Sequence, residues 1–400
     1  SILRYFGVEI LPLTFEKVIE PLTPEQRKEA SRSDFSVPLE YFLEGFNRNP
    51  QTTGFQRFMT LEIARSYAKC RTKVKEEIQR NPDILKTPVE NPLVIIGLAR
   101  TGTTMLQRML KNDPQFMSTM LWEMLTAPVP PGRPEKFRDT DRYKEAEKFF
   151  KFREWFGMSD LRTKHKVGLE LDEECMVITI NHFLDISTTL PIEWLDEWRH
   201  FMYHCPEDFL TDAYEFYKSF LKCMYYKNLE GGKRLLLKAP MHTLYLDTYH
   251  KVLPDAKFIF TYRDFKDITA SFCSLMYELA NQEGYYGDKK KQGERCLEFY
   301  KYTSCRVVEF FKKAPKDCYL ILNYTDLMSD PLGAVKKIYS HFGLTLTQEA
   351  ENAMKEHIEE NPKDKFGKHQ YNLEEWGITE EDVKDAFKEL QEYLDGLTEY

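Results

Sequence analysis

The sequence predicts an α/β fold: a P-loop-like parallel sheet flanked by helices, with a large helical insertion over its binding edge. Three observations carry this. Short unbroken apolar runs recur along the chain, as buried parallel strands do. Segments of helical periodicity separate them, which is the pattern of strand–helix–strand units. One run passes through two glycines straight into a helix, the layout of an anion cradle.

The elements follow in order. Residues 1–88 are read as a mostly helical N-terminal segment. In it Thr23-Pro24-Glu25-Gln26 is a helix start with proline in the first turn. Phe55, Phe58, Leu61, Ile63, Ala64 and Tyr67 mark an amphipathic helix over 55–80. Asn81-Pro82 and the prolines at 88 and 92 break it, and a main domain follows over 89–400. Leu93 to Ile96 is the first strand and enters Gly97; Met105, Leu106, Met109 and Leu110 give the helix after the loop. Asn112-Asp113-Pro114 stops that helix. A four-proline stretch, 127–134, is a loop, and 139–228 is a helical insertion rich in large apolar residues such as Trp155, Phe183, Trp194, Trp198, Phe201, Phe216 and Phe220. Most of these are expected in helix cores, and some in a pocket wall. Further strands are read at Leu235–Lys238, Lys257–Tyr262 and Cys318–Asn323, with helices at 265–280 and 331–342. The remainder to 400 is read as a polar, lysine-rich tail.

Bulk properties narrow the function. A net charge of −8 provides no basic field for nucleic acid. The eight cysteines stand singly, without a C-x-x-C pair, so no zinc site is expected, and the thiols are expected reduced, in a cytoplasmic protein. No apolar run reaches the roughly 20 residues of a membrane helix, and no signal-peptide pattern stands at the start of the sequence. Asn323-Tyr324-Thr325 fits a glycosylation pattern but falls at a strand end, where it is read as a chance match.

The chemistry is expected at the carboxyl ends of the strands. Gly97 and Gly102 stand as G-x-x-x-x-G, and Thr103 occupies the place a triphosphate loop gives to lysine. That disfavours a nucleotide-dependent phosphotransferase; a non-catalytic nucleotide-binding protein is the rival from another class. The loop's cation is Arg100, with hydroxyls at Thr101, Thr103 and Thr104. The second strand run ends in Lys238 with His242 beyond it, the third in Arg263 with Ser271 about two turns on. Arg100 and Arg263/Ser271 are thus two separate anion sites, which fit a nucleotide with a 5′ and a 3′ group.

These residues fall into longer patterns. Ala99–Thr104 resembles P-R-S-G-T-T, Glu170–Glu174 is E-L-x-E-E, and Leu237–His242 is L-K-x-P-x-H. Tyr262–Phe265 with Ser271 resembles H-R-D-P…S, Tyr324–Pro331 is Y-x-D-L-x-x-D-P, and Gly367–Gly377 is G-K-H-x-Y-x-x-x-x-x-G. In this order, over about 90 to 395, the chain resembles the sulfotransferases that use 3′-phosphoadenosine 5′-phosphosulfate. Ala99, Thr101 and Phe265 depart from the pattern's proline, serine and proline; Thr101 keeps a hydroxyl for the phosphate. The resemblance implies sulfuryl transfer to a hydroxyl, phenol or amine of a small, partly apolar acceptor under the helical insertion, with adenosine 3′,5′-bisphosphate as product and no metal required. It implies that Arg100, Gly102, Thr103 and Thr104 hold the 5′-phosphosulfate, that Arg263 and Ser271 hold the 3′-phosphate, and that Lys368 closes over the nucleotide. A lysine and a histidine close together at one strand end serve the wider superfamily as charge stabiliser and base, which puts Lys238 and His242 first. His165 and the cluster Glu170, Glu173 and Glu174 remain candidates for the base. A lone histidine is more often structural, and an acidic cluster is usually a solvated face. The oligomeric state and the acceptor stay open.

Overall fold

The structure is a computed structural model, and it describes residues 11–49, 52–155, 168–183, 192–229, 231–282, 287–361 and 372–398. Its centre is a five-stranded, wholly parallel sheet: β1 (Leu93–Gly97), β2 (Phe116–Ser118), β3 (Arg234–Lys238), β4 (Lys257–Tyr262) and β5 (Tyr319–Asn323), in the order β2-β3-β1-β4-β5. The four apolar runs of the sequence are β1, β3, β4 and β5. The fifth strand, β2, was not expected. It has three residues, too few for a periodicity to show, and it lies at the edge beside β3.

Both sheet faces are buried, as a parallel sheet requires. Leu93, Ile95, Leu236, Ile259 and Leu322 pack on one side against Leu106, Met109, Val335 and Ile338. Val94, Ile96, Leu237, Phe258 and Phe260 belong to the larger core on the other side. Because β1 is central, with Ile95 beside Lys238 and Gly97 beside Thr261, the ends of β1, β3 and β4 converge at one edge.

The N-terminal helices form where the sequence signals them. Pro24–Ala30 and Gly54–Arg80 each begin with a threonine–glutamine capping box, Thr23/Gln26 and Thr53/Gln56. These helices pack on the insertion. Phe35 meets Phe183 at 5.8 Å, Phe42 meets Trp198 at 5.8 Å, and Tyr41 stacks on Phe201 at 4.7 Å between ring centres. Phe183, Trp198, Phe216 and Phe220 are therefore core, and the N-terminal helices use them.

The stretch read as a polar tail holds two α-helices among its described residues. Gln348–Glu360 buries Ala350 and Met354 beside the cradle side of the sheet. Glu380–Thr398 lies along Lys289–Lys313, and its Phe387 stacks on Phe265 at 4.2 Å with the rings nearly parallel. That contact gives Phe265, which stands where the motif has proline, a packing role. The many charged residues of the tail masked a sparse apolar stripe, Val383, Ala386, Phe387, Leu390 and Leu394.

Candidate functional site

The loop after β1 is built for close approach. Gly97 has φ +148°, and a Cβ there would stand 2.5 Å from Thr261 Oγ1 and 2.6 Å from its carbonyl oxygen. Arg100 takes φ +71° and Gly102 φ +85°, which turns the chain into helix Thr103–Leu110. No side chain caps that helix, and the first helical bond joins Leu106 N–H to the Gly102 carbonyl. The amides of the first turn are thereby left for an anion. Tyr324, just beyond β5, packs its ring over Gly102, where an added Cβ would lie 3.1 Å away.

Thr101 does not do what the sequence suggested. It is wholly buried, and its hydroxyl lies 2.6 Å from both the Leu98 carbonyl and Thr261 Oγ1. Its hydroxyl ties the loop to β4 and does not face a phosphate.

The end of β3 brings in the second group. Lys238 is buried, and its ammonium donates to Glu174 at 2.9 Å and to Thr104 Oγ1 at 3.4 Å. A cation from another strand thus stands beside the helix N-terminus, whose own lysine position holds Thr103. Glu174 comes from an irregular segment clipped in place by backbone bonds. Leu121 and Trp122 N–H donate to Leu171 and Leu169, Glu173 N–H donates to Thr119, and Cys175 N–H donates to Lys238.

The end of β4 supplies Arg263. Its guanidinium lies 4.6 Å from the centre of the Tyr324 ring and donates to Asp267 at 2.7 Å. That pair is partly exposed, so it contributes about 0–1 kcal/mol and yields readily to a phosphate. Ser271 is buried one helical face away and accepts from Arg100 Nε at 3.1 Å. The two expected anion sites are therefore joined: Arg100, of the 5′ set, touches Ser271, of the 3′ set.

The loop after β1 and the segments that follow β3 and β4 border one cavity of about 470 Å³. Arg100, Gly102, Thr103, Thr104, Arg263 and Tyr324 line its polar end, with Glu173 and Glu174 at its side. Met176, Val177, Ile180 and Met241 line the rest, together with Phe272, Leu275, Met276 and Leu279 from helix Phe265–Gln282. The last four are spaced i, i+3, i+4, i+7, so one helix presents an unbroken apolar stripe to the cavity.

The sequence model of the sulfotransferase family matches residues 92–349, which holds the whole sheet and every residue of that polar end. The chain belongs to the sulfotransferase family. The omega-hydroxy-beta-dihydromenaquinone-9 sulfotransferases Stf3 of Mycobacterium bovis and Mycobacterium tuberculosis are each 23% identical to it over 323 residues, 72% of this chain and 72% of theirs. The crystal structure of sulfotransferase STF1 from Mycobacterium tuberculosis matches with a TM-score of 0.76 at 23% identity, over 95% of this chain and 99% of that one. STF9 from Mycobacterium avium matches with a TM-score of 0.78 at 24% identity, over 96% of each chain. These structural likenesses show the fold.

In this sulfotransferase the remaining expected site residues separate. His242 is 1% exposed and does not reach the cavity. Its Nδ1 lies 3.0 Å from the Tyr214 hydroxyl and its Nε2 3.3 Å from Cys175 Sγ. Burial pushes its pKa down to about 3, and burial is the largest of the effects that raise the Cys175 thiol to about 11. The ring, the first choice for the base, therefore faces the core in this structure and not the cavity. Glu170 is also displaced: it pairs with Arg138 and Tyr143 on the surface. Glu173 and Glu174 are the members of that cluster that line the cavity. His165 and Lys368 lie outside the described residues. The apolar stripe on helix Phe265–Gln282 was missed, although its spacing was visible, because the aromatic insertion was expected to form the pocket. The insertion contributes Glu173, Glu174, Met176, Val177 and Ile180; among its described large aromatics Phe183, Trp198, Phe216 and Phe220 turn inward to the core, while the side chain of Trp155 lies outside the described residues.

Proposed function

We propose that the chain transfers a sulfuryl group from 3′-phosphoadenosine 5′-phosphosulfate to a hydroxyl of a small, partly apolar acceptor. The observation that carries this is the shared cavity, in which an anion cradle opens directly onto an apolar wall. The donor set suits the nucleotide: uncapped amides, threonine hydroxyls and two guanidinium groups are all hydrogen-bond donors to oxyanions. The Stf3 relatives, named for a hydroxylated menaquinone, support an acceptor that is both hydroxylated and apolar.

When bound, the nucleotide supplies the electrophilic sulfuryl group. Arg100, Thr103, Thr104 and the first-turn amides hold its 5′ side, and Arg263 with Ser271 its 3′-phosphate. The apolar stripe orients the acceptor body and keeps water away. A carboxylate of the Glu173–Glu174 pair takes the acceptor's proton, and Lys238 keeps positive charge beside Thr104 where oxygens gather charge. The physics is that of phosphoryl transfer, in which positioning and fixed cations do most of the catalysis.

The test is radiolabelled sulfuryl transfer to a panel of alcohols, phenols and amines, with Glu173→Gln and Glu174→Gln in parallel. At least one carboxamide variant is expected to lose about 100-fold or more in kcat. Full activity in both would reject the carboxylate assignment, and donor-dependent transfer to no acceptor would reject the reaction.

A further inference from the structure

Two segments carry the catalytic polar groups to the cavity, and both turn their neighbouring residues inward. Glu174 and Met176 line the cavity, and Cys175 between them is wholly buried. Met241 lines the cavity, and His242 beside it is buried. The inward residues meet behind the wall. The Cys175 thiol donates to the Lys238 carbonyl at 3.5 Å, and Cys175 N–H donates to the same oxygen at 3.0 Å. With its hydrogen so directed, Sγ accepts from His242 Nε2–H at 3.3 Å, and His242 Nδ1 accepts from the Tyr214 hydroxyl at 3.0 Å. A neutral chain of donors runs Tyr214, His242, Cys175, Lys238 carbonyl.

We propose that His242 is a positioning residue: through Cys175 it fastens the Glu174 segment to the end of β3 and so holds the Glu174 carboxylate on the Lys238 ammonium. This rests on the sulfuryl-transfer reading of the same cavity. Three observations support it. The chain ends on the backbone of Lys238, whose side chain makes the 2.9 Å pair with Glu174. The titratable groups facing the imidazole are Cys175 and the phenols of Tyr214, Tyr217 and Tyr249, whose ring centres lie 5.7, 5.5 and 4.8 Å from its own. No carboxylate is among these contacts, so nothing here favours an imidazolium. Tyr214 and Tyr217 stand on helix Glu207–Met224, so the fastener also anchors the site to the insertion. Loss of such a fastener misplaces reacting groups, and a misplacement of about 1 Å costs on the order of 100-fold in rate.

The experiment compares His242→Gln, His242→Ala and Cys175→Ala with the wild type by kcat, acceptor KM, adenosine 3′,5′-bisphosphate affinity and imidazole NMR. Glutamine can accept from Tyr214 and donate to Cys175, yet it cannot accept a proton from substrate. His242→Gln is therefore expected to keep kcat within about tenfold of wild type, while His242→Ala loses about 100-fold. Bisphosphate affinity should change less than about twofold in both, because the side-chain hydrogen bonds of His242 and Cys175 go to Tyr214, to each other and to the Lys238 carbonyl rather than to a cradle residue. Cys175→Ala leaves the ring in place and should lower kcat about tenfold, so the proposal is tested even if His242→Ala does not fold. His242→Gln as inactive as His242→Ala, with the acid limb of the pH–rate profile lost, would overturn the proposal in favour of a proton acceptor. An unchanged kcat in Cys175→Ala would overturn it as well. The NMR arm is independent of turnover: an imidazole that stays neutral with its proton on Nε2 from pH 5 to 8 supports the proposal, and one that titrates there overturns it. Absence of bisphosphate binding by the wild type would instead reject the parent reading.

Discussion

Gly97 shows how much of the site depends on single atoms. Its φ of +148° and the 2.6 Å clearance to the Thr261 carbonyl leave no place for a Cβ. Gly97→Ala should cost about 3 kcal/mol or more in urea unfolding, since neither the backbone of β4 nor the loop can yield cheaply. At this scale the sequence was a good guide to residue type and a poor one to direction. Arg100, Thr103, Thr104 and Arg263 all line the cavity. Thr101 and His242 have the right chemistry at the right chain positions, yet both point inward. A motif records spacing along the chain; which side of the backbone a residue presents depends on φ and ψ in loops that carry no periodicity. Glu173 and Glu174 were separated from Glu170 by the same kind of detail, the pairing of residues 119–122 with 169–173.

Among the elements, the helix that follows β4 does the most. Phe265–Gln282 begins beside Arg263, carries Ser271 beneath Arg100 and then presents Phe272, Leu275, Met276 and Leu279 to the cavity. One element thus connects the proposed 3′-phosphate site to the apolar wall. Leu275→Gln should raise the acceptor KM about tenfold or more with bisphosphate affinity unchanged, as measured by initial rates and calorimetry. An equal loss in both would mean that the stripe serves the nucleotide. Elements with a long periodic pattern were legible: the helix over 55–80 appears as Gly54–Arg80, and the four apolar runs appear as strands. Among the elements missed were β2, of three residues, the helix Lys289–Lys313 between β4 and β5, and the two α-helices of the charged tail, whose buried stripes are narrow.

Across the whole molecule, the N-terminal helices, the insertion and one face of the sheet share one apolar core. Within it sit two histidines whose pKa values burial holds below the ordinary range, His242 at about 3 and His182 well down beside Arg71. The unfolded chain binds a proton at each near pH 6.5 and the folded chain does not. Stability from these groups is thus complete above about pH 6.5 and falls as the pH drops toward the folded values. Each contributes a slope of about 1.4 kcal/mol per pH unit in that window. Urea unfolding between pH 5 and 6.5 should accordingly be shallower by that amount per pH unit in His242→Gln than in the wild type; equal slopes would show that His242 is protonated in the folded protein. This coupling of core to pH was invisible in the sequence, where each histidine stands alone.

The central claim is that one cavity joins a two-cation nucleotide cradle to an apolar acceptor wall. It is tested most directly by calorimetric titration of adenosine 3′,5′-bisphosphate into the wild type, Arg100→Ala and Arg263→Ala. The expected result is micromolar binding that weakens about tenfold or more in each variant, because each loses a charge-assisted bond worth about 1.5–3 kcal/mol. Binding that is absent in the wild type, or unchanged in Arg263→Ala, would contradict it.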